Sequence, residues 1–305
     1  MPREITNTSA SVHARLLNVA RGSARPFSDL LQVFAMERFL CRLARTPHAD
    51  RFVLKGAMLM RAWEPLLFRT TMDIDLLARV PNSIATLERI MRDACDIAVE
   101  PDGIRFDPTS VQGETIIEDA DYSGIRITFV GTLGKARVPM QIDVAFDDVV
   151  TPRPTTVELP SILGMQVTPL LAYPPETAVA EKFQVMLFRA ESNSRMKDFH
   201  DIWWMSAHLP FDGRSLAEAI TATCARRRTE LPAQPTVLTQ QFAASQSKQA
   251  QWSTFRGRLA GSSCPTEFEA VMEQLRRFLG PVVAALRLHE KLARAWDPVH
   301  GWTAV

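Results

Sequence analysis

Two aspartates one residue apart in an apolar run constrain this chain more than any other feature. In "RTTMDIDLLARV", residues 69–80, Asp73 and Asp75 alternate with Ile74 and Leu76. Successive side chains of an extended strand take opposite faces, so both carboxylates share one face and the apolar pair the other. Like charges a pleat apart repel, and burial makes them costlier still. Either this is a solvated edge strand, or a cation sits between the carboxylates.

Around it the pattern alternates between elements. Ser28 can cap a helix running to about Arg45, with Leu31, Ala35, Phe39 and Leu43 on one stripe. "RFVL" (51–54) has the composition of a short buried strand, and Lys55-Gly56 turns it into a helix that Pro65 ends. After the aspartate strand a helix is expected from Ile84 to Val99. "GIRITFVG" and "VPMQIDVAF" alternate with period two across a short Gly-bearing loop, which predicts an antiparallel hairpin. In its second strand Ile142, Val144 and Phe146 face one way and Asp143 the other. "PPETAVAEKFQVMLFRA" opens on prolines and spaces Val179, Phe183, Met186 and Leu187 as a helix does. From about residue 176 the chain reads as mainly helical, apart from a Pro/Gln/Ser-rich connector at 231–251. The expected class is α+β: a small mixed sheet with helices, then a helical half.

Composition excludes several functions. Apolar residues are 46% and charged residues 23% of 305, ordinary for a globular protein, and a formal net charge of +1 argues against a strongly basic nucleic-acid binder. Cys41, Cys95, Cys224 and Cys264 are far apart and form no CxxC pair, so buried free thiols are expected rather than a zinc site or disulfides. No run of about eighteen apolar residues marks a membrane span. The first 25 residues carry Arg3, Arg15, Arg21 and Arg25 without an apolar segment of the secretory kind; "ASVHARLLNVAR" is read as a surface helix and the cytoplasm is the expected compartment.

Asp73, Asp75 and Asp143 lie on the polar faces of two predicted strands, and a strand–Gly–helix turn precedes them. Hard divalent cations take oxygen ligands, and magnesium is commonly held by a few carboxylates with a bound phosphate completing the octahedron. A helix start offers N–H groups and a positive dipole end to that phosphate. The combination suits metal-assisted attack at phosphorus.

In that order, Gly56-Ala57, "DID" and "IDV" resemble the turn, DxD pair and third carboxylate of the nucleotidyltransferase superfamily. More closely, the chain resembles the AbiEii/MenT toxin family, through "ASVHARLLNVAR", "DRFVLKGAMLMRAW", "RTTMDIDLL", "MQIDVAFDDVVTP", "YPPETAVAEKF", "NSRMKDFHDIW" and "SKQAQW". The resemblance implies a nucleotidyltransferase lobe over residues 1–170, with its N-terminal helices. It also implies a helical lobe over 171–305 that contributes to the active-site cleft. The implied activity is that of a toxin, opposed by a cognate antitoxin protein or a kinase, that uses Mg2+ to move NMP from an NTP to the 3′ end of RNA. The acceptor end of tRNA is the expected target, with translation blocked as the result.

Carried over residue by residue, the resemblance gives Lys55, Gly56 and Ala57 the phosphate turn, although Ala57 lacks the hydroxyl the family often has there. Asp73, Asp75 and Asp143 are implied as metal ligands, Asp143 completing the site or helping to deprotonate the attacking hydroxyl, and Thr71 as a hydroxyl beside the nucleotide that phosphorylation would silence. Lys182 is implied on the triphosphate, and Asp198 as an essential aspartate with Arg195 and Lys197 beside it. Read without the resemblance, "RMKDFHDIWW" is a charged helix start ahead of buried Trp203 and Trp204, and His200 and His208 are structural or solvated. The "ARRRTE" cluster, Arg226 to Arg228, could meet an RNA backbone or simply end a helix in solvent. A metal-dependent nuclease and a non-catalytic NTP-binding regulator are the alternatives, and a monomer is the expected state.

Overall fold

The computed structural model of the protein describes residues 7–23, 25–63, 71–119, 122–259 and 264–304. Arg3, the expected helix stop at Pro65, and Arg69 and Thr70 at the head of the aspartate stretch lie outside them. The chain forms two compact units, Met1–Asp147 with Thr155–Ala172, and Asp148–Pro154 with Tyr173–Val305.

In the first unit, α1 (Thr8–Ser23) and α2 (Phe27–Leu43) lead into β1 (Phe52–Lys55), α3 (Gly56–Trp63), β2 (Ile74–Ala78) and α4 (Ile84–Cys95). Strands β3 (Ile104–Asp119), β4 (Tyr122–Leu133), β5 (Ala136–Phe146), β6 (Thr155–Val157) and β7 (Leu170–Ala172) complete a seven-stranded sheet ordered β3-β4-β5-β2-β1-β7-β6. The β2–β5 and β1–β7 pairs are parallel and the rest antiparallel, so the sheet is mixed and the class α+β. The expected hairpin is β4–β5, closed by Gly134 at φ +59°. Leu54, Leu76, Val144 and Ile125 share one register row and are buried on the face that α2 and α4 cover. Phe39 of α2 sits on that face, 5.4 Å from the Phe106 ring and 4.7 Å from Phe129.

Helix α2 departs from the amphipathic stripe its apolar residues suggest. Every residue from Leu30 to Leu43 is buried, Glu37, Arg38 and Arg42 included. Buried charges persist only when paired and hydrogen-bonded. Arg38 Nε and Arg42 Nη1 reach Asp102 at 3.0 and 2.7 Å, while Glu37 accepts from Arg61, from Ser161 Oγ and from the Ile162 N–H. The N-cap is Pro26; Ser28 lies inside the first turn with its hydroxyl on Asp29. Helix α4, capped by Ser83, stops at Cys95 rather than at Val99, because the chain must turn there to deliver Asp102 to the two arginines.

The second unit holds α5 (Pro175–Arg189), α6 (Met196–His208), β8 (Phe211–Asp212), α7 (Gly213–Arg226), α8 (Gln240–Ala244), α9 (Gln246–Arg256), α10 (Phe268–Arg287), β9 (Arg294–Asp297) and β10 (Gly301–Ala304). The helical expectation holds, but the connector expected at 231–251 is mostly ordered into a 3-10 turn, α8 and the start of α9. Val237 and Phe242 bury there, and Thr239 caps α8 by accepting from the Phe242 N–H. Phe199, Phe242, Trp252 and Phe268 form one aromatic core, and Phe211, Phe278, Trp296 and Trp302 a second. Trp204 is buried as expected and Trp203 only half-buried.

Candidate active site

In the first unit the sheet register places five ionisable residues in one row. Lys55 pairs with Asp75, Asp75 with Asp143, Asp143 with Arg126, and Arg126 with Glu114. Register partners share a face, so all five are on the face opposite the α2 core. Asp73 precedes Asp75 by two residues and joins the same face. Carboxylate oxygens of Asp73, Asp75 and Asp143 lie within 4.8 Å of one another. A set of hard oxygen donors at that spacing fits a magnesium-type ion.

Each carboxylate is fixed differently. Thr71, itself buried, donates its hydroxyl to Asp73 Oδ1 at 2.5 Å. Asp75 packs against the strand-to-helix turn: Gly56 has φ +69°, and a Cβ there would stand 1.8 Å from Asp75 Oδ2. Only glycine accommodates both the left-handed backbone and the carboxylate. Lys55 and Ala57, on either side, are buried. Asp143, 8% exposed, is forked by Arg126, with Nε on Oδ1 and Nη2 on Oδ2, each at 2.8 Å. Those hydrogen bonds hold the Arg126 pKa above its ordinary value. The Gln141 amide adds contacts of 3.2 Å to both Asp143 oxygens.

The second unit gathers the other candidates. Lys182 Nζ on α5 stands 3.5 Å from Asp198 Oδ1 and 2.8 Å from Asp201 Oδ2, both aspartates being buried on α6. Arg195 Nε meets Asp198 Oδ2 at 2.7 Å, and His200 Nδ1 lies 3.3 Å from Asp201. The segment joining α5 to α6 is anchored by buried Lys248, whose Nζ donates to the carbonyls of Glu191 and Asn193 at 2.8 and 2.7 Å. His208 is exposed, with its ring stacked on Trp204. Arg227 is no free member of a basic cluster: its guanidinium contacts Asp148, Glu181 and Gln184, each at 3.1 Å, because the chain after α7 folds back onto α5. Arg226 and Arg228 are exposed.

The sequence profile of the nucleotidyl transferase AbiEii toxins, of type IV toxin–antitoxin systems, matches residues 38–274, a span holding every candidate above. The chain is a member of the AbiEii toxin family. Membership makes it a toxin of nucleotidyltransferase type with a nucleotide substrate and an antitoxin partner. Two solved Helicobacter pylori structures are similar to this AbiEii protein. One, assigned as a nucleotidyltransferase, is 15% identical with TM-score 0.45 and covers 86% of this chain and 97% of its own. JHP933 is 13% identical with TM-score 0.44, covering 83% and 91%. A comparison with curated proteins gives no match. No helix among the described residues is long and apolar enough to cross a membrane.

Two residues beside these candidates, one in each unit of this AbiEii protein, escaped the sequence reading. Asp201, rather than Asp198, is the nearer partner of Lys182. Its signal was the three-residue spacing from Asp198, which puts both on one helix face. Arg126 lies in a strand far from any motif, yet counting the hairpin out from its Leu133–Ala136 closing pair sets it opposite Asp143.

Proposed function

We propose that this AbiEii-family protein transfers a nucleotidyl group from an NTP to the 3′ end of an RNA, with tRNA as the expected acceptor, and so stops translation. The carrying observation is the three carboxylates within 4.8 Å on one sheet face, beside a turn at which only glycine fits. Asp73 and Asp75 would hold a magnesium ion, which supplies Lewis-acid activation and charge neutralisation. Thr71 keeps Asp73 in its rotamer, and Gly56 leaves room for Asp75. The ribose hydroxyl attacks the α-phosphorus in line; the new P–O bond forms as the bond to the β-phosphate oxygen breaks, and pyrophosphate leaves. The proton of the attacking ribose hydroxyl passes to a carboxylate of the Asp73–Asp75 pair. Asp143 is charge-paired to Arg126, whose fork takes both of its oxygens.

Lys182 and Arg195 serve the triphosphate in this reading, with Lys55 at the turn. An ammonium gripped by Asp198 and Asp201 is pre-oriented, which limits the ordering cost of binding phosphate. The test is incubation of the protein with total tRNA, each labelled NTP in turn, and Mg2+. Label should enter tRNA with at least one NTP, and Asp73→Asn and Lys182→Ala should each abolish or strongly reduce it. Shortened RNA without incorporation would favour a nuclease. NTP binding without either reaction would leave a regulator.

A further inference from the structure

The third carboxylate of this site already has its cation. Asp143 offers two oxygens with about four lone-pair positions. Arg126 takes one on each oxygen through its planar fork, and the Gln141 amide approaches both. The group is almost wholly buried. Glu114, next in the register row, lies on the far side of the guanidinium and adds its field to that of Asp143 in retaining it. Asp73 instead takes a neutral hydroxyl, and Asp75 lies between Gly56 and the cross-strand position of Lys55, a register partner with no guanidinium to fork its two oxygens.

Charge points the same way. On this sheet face Asp73, Asp75, Asp143 and Glu114 bring four acidic groups, and Lys55 and Arg126 two basic ones. The net charge of −2 matches one divalent ion, so the electrostatic demand for a second falls away.

We propose that Arg126 is a positioning residue that keeps Asp143 out of the ion's coordination shell, so that the site takes a single divalent cation on Asp73 and Asp75. The guanidinium is then a permanent counter-charge where a second ion would otherwise balance the third carboxylate. The inference rests on the nucleotidyl-transfer reading for the ion's purpose, but its test is ion binding rather than turnover. Lysine could not replace Arg126 in this role, because a point charge does not fork both oxygens.

The probe is Mn2+ alone, titrated into the full chain and followed by the electron paramagnetic resonance signal of the free ion. Wild type should bind one Mn2+. Arg126→Gln releases Asp143, and should bind a second ion or hold the first about tenfold more tightly as the ligand charge rises. The paired variant Arg126→Gln/Asp143→Asn keeps the net charge and loses no ligand, so its affinity should stay within about threefold of wild type. Asp73→Asn, which removes a ligand, should weaken binding at least about tenfold. The proposal is overturned if the paired variant loses affinity as Asp73→Asn does, if wild type binds two ions, or if Arg126→Gln binds more weakly. Transfer of labelled NTP by wild type is scored separately. Its absence beside the expected ion pattern would sink the transfer reading and leave this one standing.

Discussion

Replacing Gly56 with alanine tests the geometry of the turn and the carboxylate pair together. The backbone at position 56 has φ +69°, where an alanine costs about 1–2 kcal/mol. The new Cβ would also lie 1.8 Å from Asp75 Oδ2, against a real-contact floor of 3.0 Å, so the carboxylate must retreat by at least 1.2 Å. Driving that side chain off its rotamer adds about 0.5–1.5 kcal/mol. The stability loss should therefore be about 1.5–3.5 kcal/mol by urea denaturation. A misplacement near 1 Å costs roughly a hundredfold in rate, so NTP transfer should fall by about that factor. Placing Gly56→Ala in an Asp75→Ala background removes the oxygen and Cγ contacts and leaves Asp75 Cβ at 2.8 Å. The loss there should shrink toward the backbone term, about 1–2 kcal/mol. Equal losses in both backgrounds, or wild-type Mn2+ affinity in Gly56→Ala, would refute the claim that the turn and Asp75 share one space.

Other perturbations address the supports of the two units. Lys248→Met removes a buried ammonium from two carbonyls that hold the α5–α6 segment, and should cost about 2–4 kcal/mol by urea denaturation; a loss below about 0.5 kcal/mol would contradict that anchor. Glu37→Gln replaces one of the two carboxyl oxygens that accept from Arg61, Ser161 and the Ile162 N–H with an amide nitrogen, and should cost about 1–3 kcal/mol near pH 5. Burial raises the Glu37 pKa above its ordinary 4.5, although Arg61 pulls it down. A raised carboxyl contributes stability that is full below its unfolded value and lost as pH climbs through its folded one, so the gap between wild type and Glu37→Gln should narrow above pH 4.5. Parallel stability curves would contradict this. Burial pushes the thiols of Cys95 to about 12 and Cys224 to about 11, and Cys41 and Cys264 are also buried, so all four should resist iodoacetamide at pH 8 until the protein is denatured.

The centre of the sheet was legible because its strands announce themselves by alternation. β1, β2, β4 and β5 are apolar on one face, and their turns carry Gly56 and Gly134. β3 was not legible. Pro108 and Gly113 interrupt a strand pattern, and only an edge strand, with its register shift between Asp107 and Gln112, tolerates them. The strands β6 to β10 have two to four residues each, too short for a period to show. In α2 the stripe was visible, but the burial of Glu37, Arg38 and Arg42 depends on Asp102 and Arg61, partners contributed by other elements. The carboxylates could be picked out by type and spacing. Arg126 could not, because its role is a property of strand register and not of its neighbours in sequence.

The chain's path between the two units has a practical consequence. It leaves the first unit after Asp147, returns at Thr155 and leaves again after Ala172. The short excursion is stitched into the second unit: the Thr151 backbone both donates to and accepts from the Thr177 hydroxyl, and Asp148 meets Arg227. No single cut in the gene therefore yields two whole parts. A fragment ending at Ala172 would carry Asp148–Pro154 without its partners, and one beginning at Tyr173 would lack Asp148, one of the two acids that meet Arg227. Recombination that exchanged one lobe of this toxin for another would need two crossovers flanking that loop, so the lobes are expected to be inherited together.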